Sequence, residues 1–230
     1  MKTIGLIGGM SWESSIEYYR IINEEARQQL GGLHSAQSLM YSVDFEEIEK
    51  LQHTGDWETL TQRMVDAAQY LENGGADFVV LCTNTMHKTA VSIQDHINIP
   101  FLHIADATAE QIQKDNIQKI GLLGTKFTME HDFYKGRLVD QFGLDVLIPN
   151  EADRQTVHDI IYQELCLGNI QETSRLAYRK IMADLVEQGA EGIILGCTEI
   201  TLLVNQEDGT VPLFDTTQIH AETAVAWALQ

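Results

Sequence analysis

The chain of 230 residues carries 15 basic and 34 acidic side chains, a formal charge of −19, which is the wrong sign for neutralising the phosphates of nucleic acid or an anionic membrane. Three cysteines, Cys82, Cys166 and Cys197, form an odd set without CxxC spacing; a disulfide scaffold and a zinc cluster are excluded, and a reducing cytosol fits best. No run approaches the roughly 18 apolar residues of a membrane span, and residues 1–10 reach Trp12 and Glu13 without a leader's apolar region or cleavage site, so a soluble cytoplasmic protein is expected.

Taken in chain order, short β-rich apolar runs alternate with longer amphipathic stretches, the pattern of βαβ units around parallel sheets. Strands are predicted at 3–7, 39–43, 78–81, 101–103, 119–123, 144–148, 192–195 and 213–214. Between them Trp57, Leu60, Met64, Ala68 and Leu71 recur at helical spacing, as do Ala177, Ile181 and Leu185; these segments read as covering helices with one apolar stripe. The fold class is α/β. Three prolines and no Ser/Gly-rich tract leave no visible linker.

An internal repeat organises the chain. Residues 2–8 (KTIGLIG) match 118–124 (QKIGLLG) at an offset of 116, residues 75–84 (GADFVVLCTN) match 189–198 (GAEGIILGCT) at 114, and 99–102 (IPFL) match 211–214 (VPLF) at 112. Matches in the same order with slowly drifting offsets indicate duplication. Two pseudo-symmetric lobes are expected, each with a parallel four-stranded sheet: 1–104, joined by the terminal segment 213–230, and 105–212. Ligands of such sheets bind beyond the strand C-termini, so the site is expected between the lobes, with Thr83 and Cys197 at equivalent strand ends.

Two proton-carrying side chains on opposite sides of a substrate suit removal of a proton from one face of a carbon and its return to the other. A cysteine at a strand end is expected to have its pKa lowered by local backbone N–H groups and to act as a general base. Asn84, Thr85 and Thr198 supply donors for a small carboxylate without Lys or Arg. The eight histidines include no HxxxH or HExxH pair, so no metal is expected. The Gly8-Gly9 turn lacks the GxGxxG spacing of a dinucleotide loop. Strand alternation points Cys82 away from Thr83 and into the core, and Cys166 reads as packing. His87 reads as a cap or packing residue, and Glu199 as an orienting group for Cys197 or a plain acid at a helix start.

These residues carry a resemblance to a known family. Gly8-Gly9-Met10-Ser11-Trp12-Glu13-Ser14, Thr83-Asn84-Thr85 with His87, Gly121-Leu122-Leu123-Gly124-Thr125 and Gly196-Cys197-Thr198-Glu199 resemble the motifs of the cofactor-independent aspartate/glutamate racemases, from the first strand to the last helix. The resemblance implies two Rossmann-like lobes, a homodimer, and two-base racemisation of a small amino acid through Thr83 and Cys197 without a cofactor. It places Met10, Gln52, Asn84, Thr85, Thr125, Thr198 and Glu199 at the substrate. Two departures stand out. Thr83 occupies the place of the family's first cysteine, and a hydroxyl is a poor base, so catalysis is expected to be lopsided, with Cys197 serving the L enantiomer by resemblance. Gln52 and Leu167 stand where aspartate-specific members resemble one another in carrying basic residues, which leaves broad or neutral amino-acid specificity open. A two-lobed carboxylate-binding or sensor protein without turnover, and a related isomerase or decarboxylase, are the alternative readings.

Overall fold

The structure is a computed structural model that describes residues 1–230. Its internal contacts divide the chain into two units: Met1–Ile104 with His220–Gln230, and Ala105–Ile219. No helix is long and apolar enough to cross a membrane.

The first unit contains β1 (Ile4–Gly8), α1 (Trp12–Leu30), β2 (Ser38–Ser42), α2 (Phe45–Thr54), α3 (Trp57–Asn73), β3 (Phe78–Leu81), α4 (Ala90–His96) and β4 (Phe101–Leu102). The second contains α5 (Ile104–Lys114), whose first residue belongs to the first unit, then β5 (Lys119–Gly124), α6 (Lys126–Glu130), α7 (Asp132–Phe142), β6 (Asp145–Leu147), α8 (Glu151–Gln163), α9 (Glu172–Glu187), β7 (Gly192–Gly196) and β8 (Leu213–Asp215). Helix α10 (Thr216–Ala228) starts in the second unit and ends in the first. All eight predicted strands are present. The sheets are wholly parallel and share one strand order, β2-β1-β3-β4 and β6-β5-β7-β8.

The ladders carry the repeat at the level of individual residues. Gly5 pairs with Val79 in the first sheet and Gly121 with Ile193 in the second; Val79 pairs with Phe101 and Ile193 with Leu213. These are the residues that the sequence offsets align, so the two halves share register as well as topology.

In the first unit strand alternation sorts side chains onto two faces. Ile4, Leu6, Phe78, Val80 and Leu102 pack with Tyr18, Ile21 and Ile22 of α1 and with Ala221, Ala224 and Val225 of α10. Ile7, Val79, Leu81 and Phe101 face Leu60, Met64 and Ala68 of α3 and Ile93 of α4. The sequence assigned 213–230 as a block to the first lobe. The structure corrects that boundary: Leu213–Asp215 is hydrogen-bonded to β7 of the second sheet, and the first unit takes up the chain again only at His220. An apolar strand and an apolar helix both read as "core" in one dimension; only pairing shows which core.

The glycine shared by β1 and β5 serves different neighbours. A Cβ on Gly5 would lie 2.8 Å from the Ala76 Cβ and 3.0 Å from the Phe78 carbonyl oxygen, atoms held by backbone. One on Gly121 would meet the Cδ1 atoms of Ile193 and Leu185, at 2.5 and 3.1 Å, which are the ends of flexible side chains. Gly5→Ala is therefore expected to destabilise by about 2 kcal/mol or more and Gly121→Ala by about 1 kcal/mol or less, as overpacking costs depend on what can yield. Thermal unfolding of the two variants beside the unsubstituted protein checks the order; equal shifts would contradict it.

Candidate active site

In the first unit the chain leaves β3 through Cys82, whose N–H donates to the Ile7 carbonyl at 2.9 Å. The Cys82 side chain packs among Ile4, Leu6, Tyr18 and Phe78, and burial pushes its thiol well above the usual range. It belongs to the core. Thr83 follows, 8% exposed. Its N–H donates to the Leu81 carbonyl at 2.8 Å and its carbonyl accepts from His87 Nδ1 at 2.7 Å. Apart from these backbone bonds Thr83 makes no hydrogen bond within the chain, so no carboxylate or imidazole is placed to take the proton of its hydroxyl. Asn84 and Thr85 are buried beside it, at the start of the 3-10 turn Thr85–Thr89.

The loop after β1 reaches the same end of this sheet. Gly9 has a φ of 89°, and a Cβ there would lie 2.3 Å from the Val43 carbonyl oxygen, so the turn admits only glycine. Its N–H donates to Ser15 Oγ at 2.7 Å. Met10 next to it is taken up by the core with Ile7 and Ile48. Gln52, in the last turn of α2, is 3% exposed, with its Nε2 3.2 Å from the Met86 sulfur.

In the second unit Gly124 and Gly196 pair at the ends of β5 and β7, where a Cβ on either would lie under 3.0 Å from backbone oxygen of the other strand. Thr125 and Cys197 are the residues that follow. Thr125 caps α6, its Oγ1 accepting from the Thr128 N–H at 3.3 Å. Cys197, 8% exposed, points its Sγ at Glu199 Oε2 at 2.9 Å, and the Thr198 hydroxyl donates to the same oxygen at 2.8 Å. Glu199 is itself 3% exposed and leads into the 3-10 turn Ile200–Leu202.

The expectation that backbone donors lower the Cys197 pKa is overturned. Burial raises it well above the usual thiol range, and the neighbouring negative charge of Glu199 adds to the rise; a hydrogen bond from the Glu199 backbone opposes them and is outweighed. At rest the residue is a thiol donating to a carboxylate. The pair can still act as a base, because Glu199 can take the thiol proton without any solvent entering.

Of the sequence-predicted residues, the structure groups Thr83, Asn84 and Thr85 in the first unit, and Cys197, Thr198 and Glu199 in the second, with Thr125 at the end of the strand paired to β7. Leu167 is 74% exposed at the end of the short turn Leu165–Leu167, which also holds half-buried Cys166. The sequence reading missed the ring cluster behind Thr83. His103 and His220 are buried, with His87 4.5 Å from His103 and 5.9 Å from His220 between ring centroids. His220 accepts from the Tyr18 hydroxyl at Nδ1 (2.9 Å) and donates from Nε2 to the Leu102 carbonyl (3.1 Å), and burial lowers its pKa to about 4. His103 directly follows β4, a signal available to a search of strand ends; His220, 118 residues from Leu102, left none.

Comparison with known proteins places this geometry in context. A solved structure from Yersinia pestis, named for the Asp/Glu racemases, is 59% identical, covers 100% of both chains and superposes with a TM-score of 0.93. An aspartate racemase homologue from Pyrococcus horikoshii OT3 is 36% identical over 100% of both chains, with a TM-score of 0.86. The broad specificity amino-acid racemase of Bacillus subtilis (strain 168) is 26% identical over 171 residues, 74% of this chain and 73% of its own. The Asp/Glu/hydantoin racemase family matches residues 7–224. The chain belongs to that family.

Proposed function

We propose that the chain is a cofactor-independent amino-acid racemase that acts on aspartate or glutamate and tolerates neutral side chains, with Cys197 and Thr83 as its two proton carriers. The observation that carries this reading is the buried Cys197 thiol held on the Glu199 carboxylate, in a chain of a racemase family. Glu199 accepts the thiol proton, and the thiolate removes the α-proton of the L enantiomer. Donors from Asn84, Thr85 and Thr198 hold the substrate carboxylate, on which the carbanion charge is delocalised. The Thr83 hydroxyl delivers a proton to the other face and regains one from water, and Glu199 gives up the proton it accepted to the hydroxide so formed, which restores the resting thiol–carboxylate pair. With no acceptor at its own hydroxyl, Thr83 is suited to giving a proton and poorly suited to taking one from Cα.

The neutral amide of Gln52 and the exposed alkyl group of Leu167 support breadth, since no buried cation is left unpaired when a side-chain carboxylate is absent. Relatives named for broad specificity and for glutamate are consistent with it. The missing acceptor beside Thr83 also favours one rival, a carboxylate-binding protein without turnover. That rival exchanges no α-proton.

Cys197→Ser is expected to lower turnover by at least about 10²-fold, the loss typical of a removed general base, while Cys82→Ser leaves it near the original level. Racemisation followed by polarimetry checks both, and the reverse result would move the base to Cys82.

Glu199→Gln removes both the proton acceptor and the charge that raises the thiol pKa. Near neutral pH its rate is expected to drop at least about tenfold, then to climb with pH as the still-buried thiol ionises into solvent, whereas the unsubstituted enzyme changes less over that range. Parallel pH–rate profiles with equal rates would exclude Glu199 as the acceptor.

In D₂O the L enantiomer is expected to lose its α-proton quickly and the D enantiomer slowly. Thr83→Cys should speed exchange of the slow enantiomer, because a thiol is a usable base where a hydroxyl is not, and Thr83→Ala should spare L exchange while suppressing D product. NMR of the α-proton resolves these outcomes; equal exchange of both enantiomers by the unsubstituted protein would remove Thr83 from its role.

A further inference from the structure

The geometry points to His87 as a positioning residue for Thr83: its imidazole holds the Thr83 peptide and so aims the hydroxyl, without itself carrying a proton. This inference rests on the racemase reading above. Both ring nitrogens are committed to backbone. Nδ1 lies 2.7 Å from the Thr83 carbonyl oxygen and must donate; Nε2 lies 3.1 Å from the Ile104 N–H and must accept. The ring is therefore the neutral Nδ1–H tautomer. Protonating Nε2 would set two donors face to face at a residue only 2% exposed, so His87 is not a general base.

Its two bonds join the chain just past β3 to the chain just past β4. His220 fixes the latter from behind, through Leu102 and Tyr18, with the opposite tautomer. Threonine is stiff at χ1, so the direction of its hydroxyl follows the backbone frame, and that frame is what His87 restrains. At the aligned place in the second unit, 114 residues on, stands Thr201, whose hydroxyl donates to the Thr198 carbonyl at 3.1 Å rather than to that of Cys197. The asymmetry is chemical. A buried thiol needs a partner that takes its proton, and Glu199 lies on its sulfur; a hydroxyl that only gives a proton needs aim, and Thr83 has an imidazole on its peptide.

Two variants separate aiming from plain bracing. His87→Asn retains a donor at the Nδ1 position and loses the acceptor for Ile104; His87→Gln retains an acceptor at the Nε2 position and loses the donor for Thr83. From L substrate in D₂O, His87→Gln is expected to make D product at least about tenfold more slowly, since small misplacements of a reacting group cost that much or more, while L exchange changes far less. His87→Asn should keep its ratio of product to exchange within about threefold of the original, because the contact that aims Thr83 survives. The opposite order, or an equal loss of exchange and product in both variants, overturns the positioning role alone. An unsubstituted protein that neither exchanges nor racemises overturns the racemase reading and this role with it. Nitrogen-15 NMR of the His87 ring needs no turnover: a proton on Nδ1 is expected, and one on Nε2 overturns the clamp in either case.

Discussion

A parallel strand buried on both faces can be fed only from one end and must release its chain at the other, where the last peptide groups lose their ladder partners. In this protein β3 and β7 are such strands, each lying between two parallel neighbours. Beyond their C-termini the backbone turns at once, through Cys82-Thr83 in one unit and Cys197-Thr198 in the other, into short 3-10 turns. The polar side chains of these turns are buried because the strands that deliver them are. Everything chemical at these strand ends follows from that placement: low exposure, and hydrogen bonds among residues close in sequence.

Burial acts differently on Cys197 and Thr83, the two proposed proton carriers. For Cys197 it stabilises the neutral thiol, and the nearby carboxylate stabilises it further; the same carboxylate is the group able to remove the proton. Resting inertness and readiness to react thus come from one contact. For Thr83 burial matters little to ionisation, because a hydroxyl is neutral in any case. What it gains from the interior is a fixed frame, in which both His87 nitrogens face backbone groups and His220 braces Leu102 from the Tyr18 hydroxyl. His220, with its pKa lowered to about 4, stays uncharged across ordinary pH, so that part of the frame does not respond to protons.

Much of this was legible in one dimension. The repeat of KTIGLIG and GADFVVL defined both sheets and, through residue alignment, their register, because identical ladders need similar side chains at similar places. The pairing of Thr83 with Cys197 came from the same alignment, and the assignment of Cys82 to the core from strand period alone. Three things were not readable. The thiol's environment depends on depth and on where a carboxylate two residues away turns its oxygens, which spacing does not encode. The histidine cluster is assembled from residues 87, 103 and 220, a set with no common interval. The point at which the chain re-enters the first unit depends on which strand Leu213–Asp215 pairs with, and its apolar Leu213-Phe214 pair fits either sheet.

The return of α10 to the first unit governs the order in which the protein can be finished. Ala221, Ala224, Val225 and Ala228 cover the face of the first sheet that holds Ile4, Leu6, Phe78 and Val80, yet they come after every strand of both sheets in chain order. During translation the second unit has all its strands before that face, already packed on α1, receives the α10 part of its cover. The first half to emerge is thus the last to close, and a nascent chain stalled near residue 215 would display an apolar surface that the finished protein never shows.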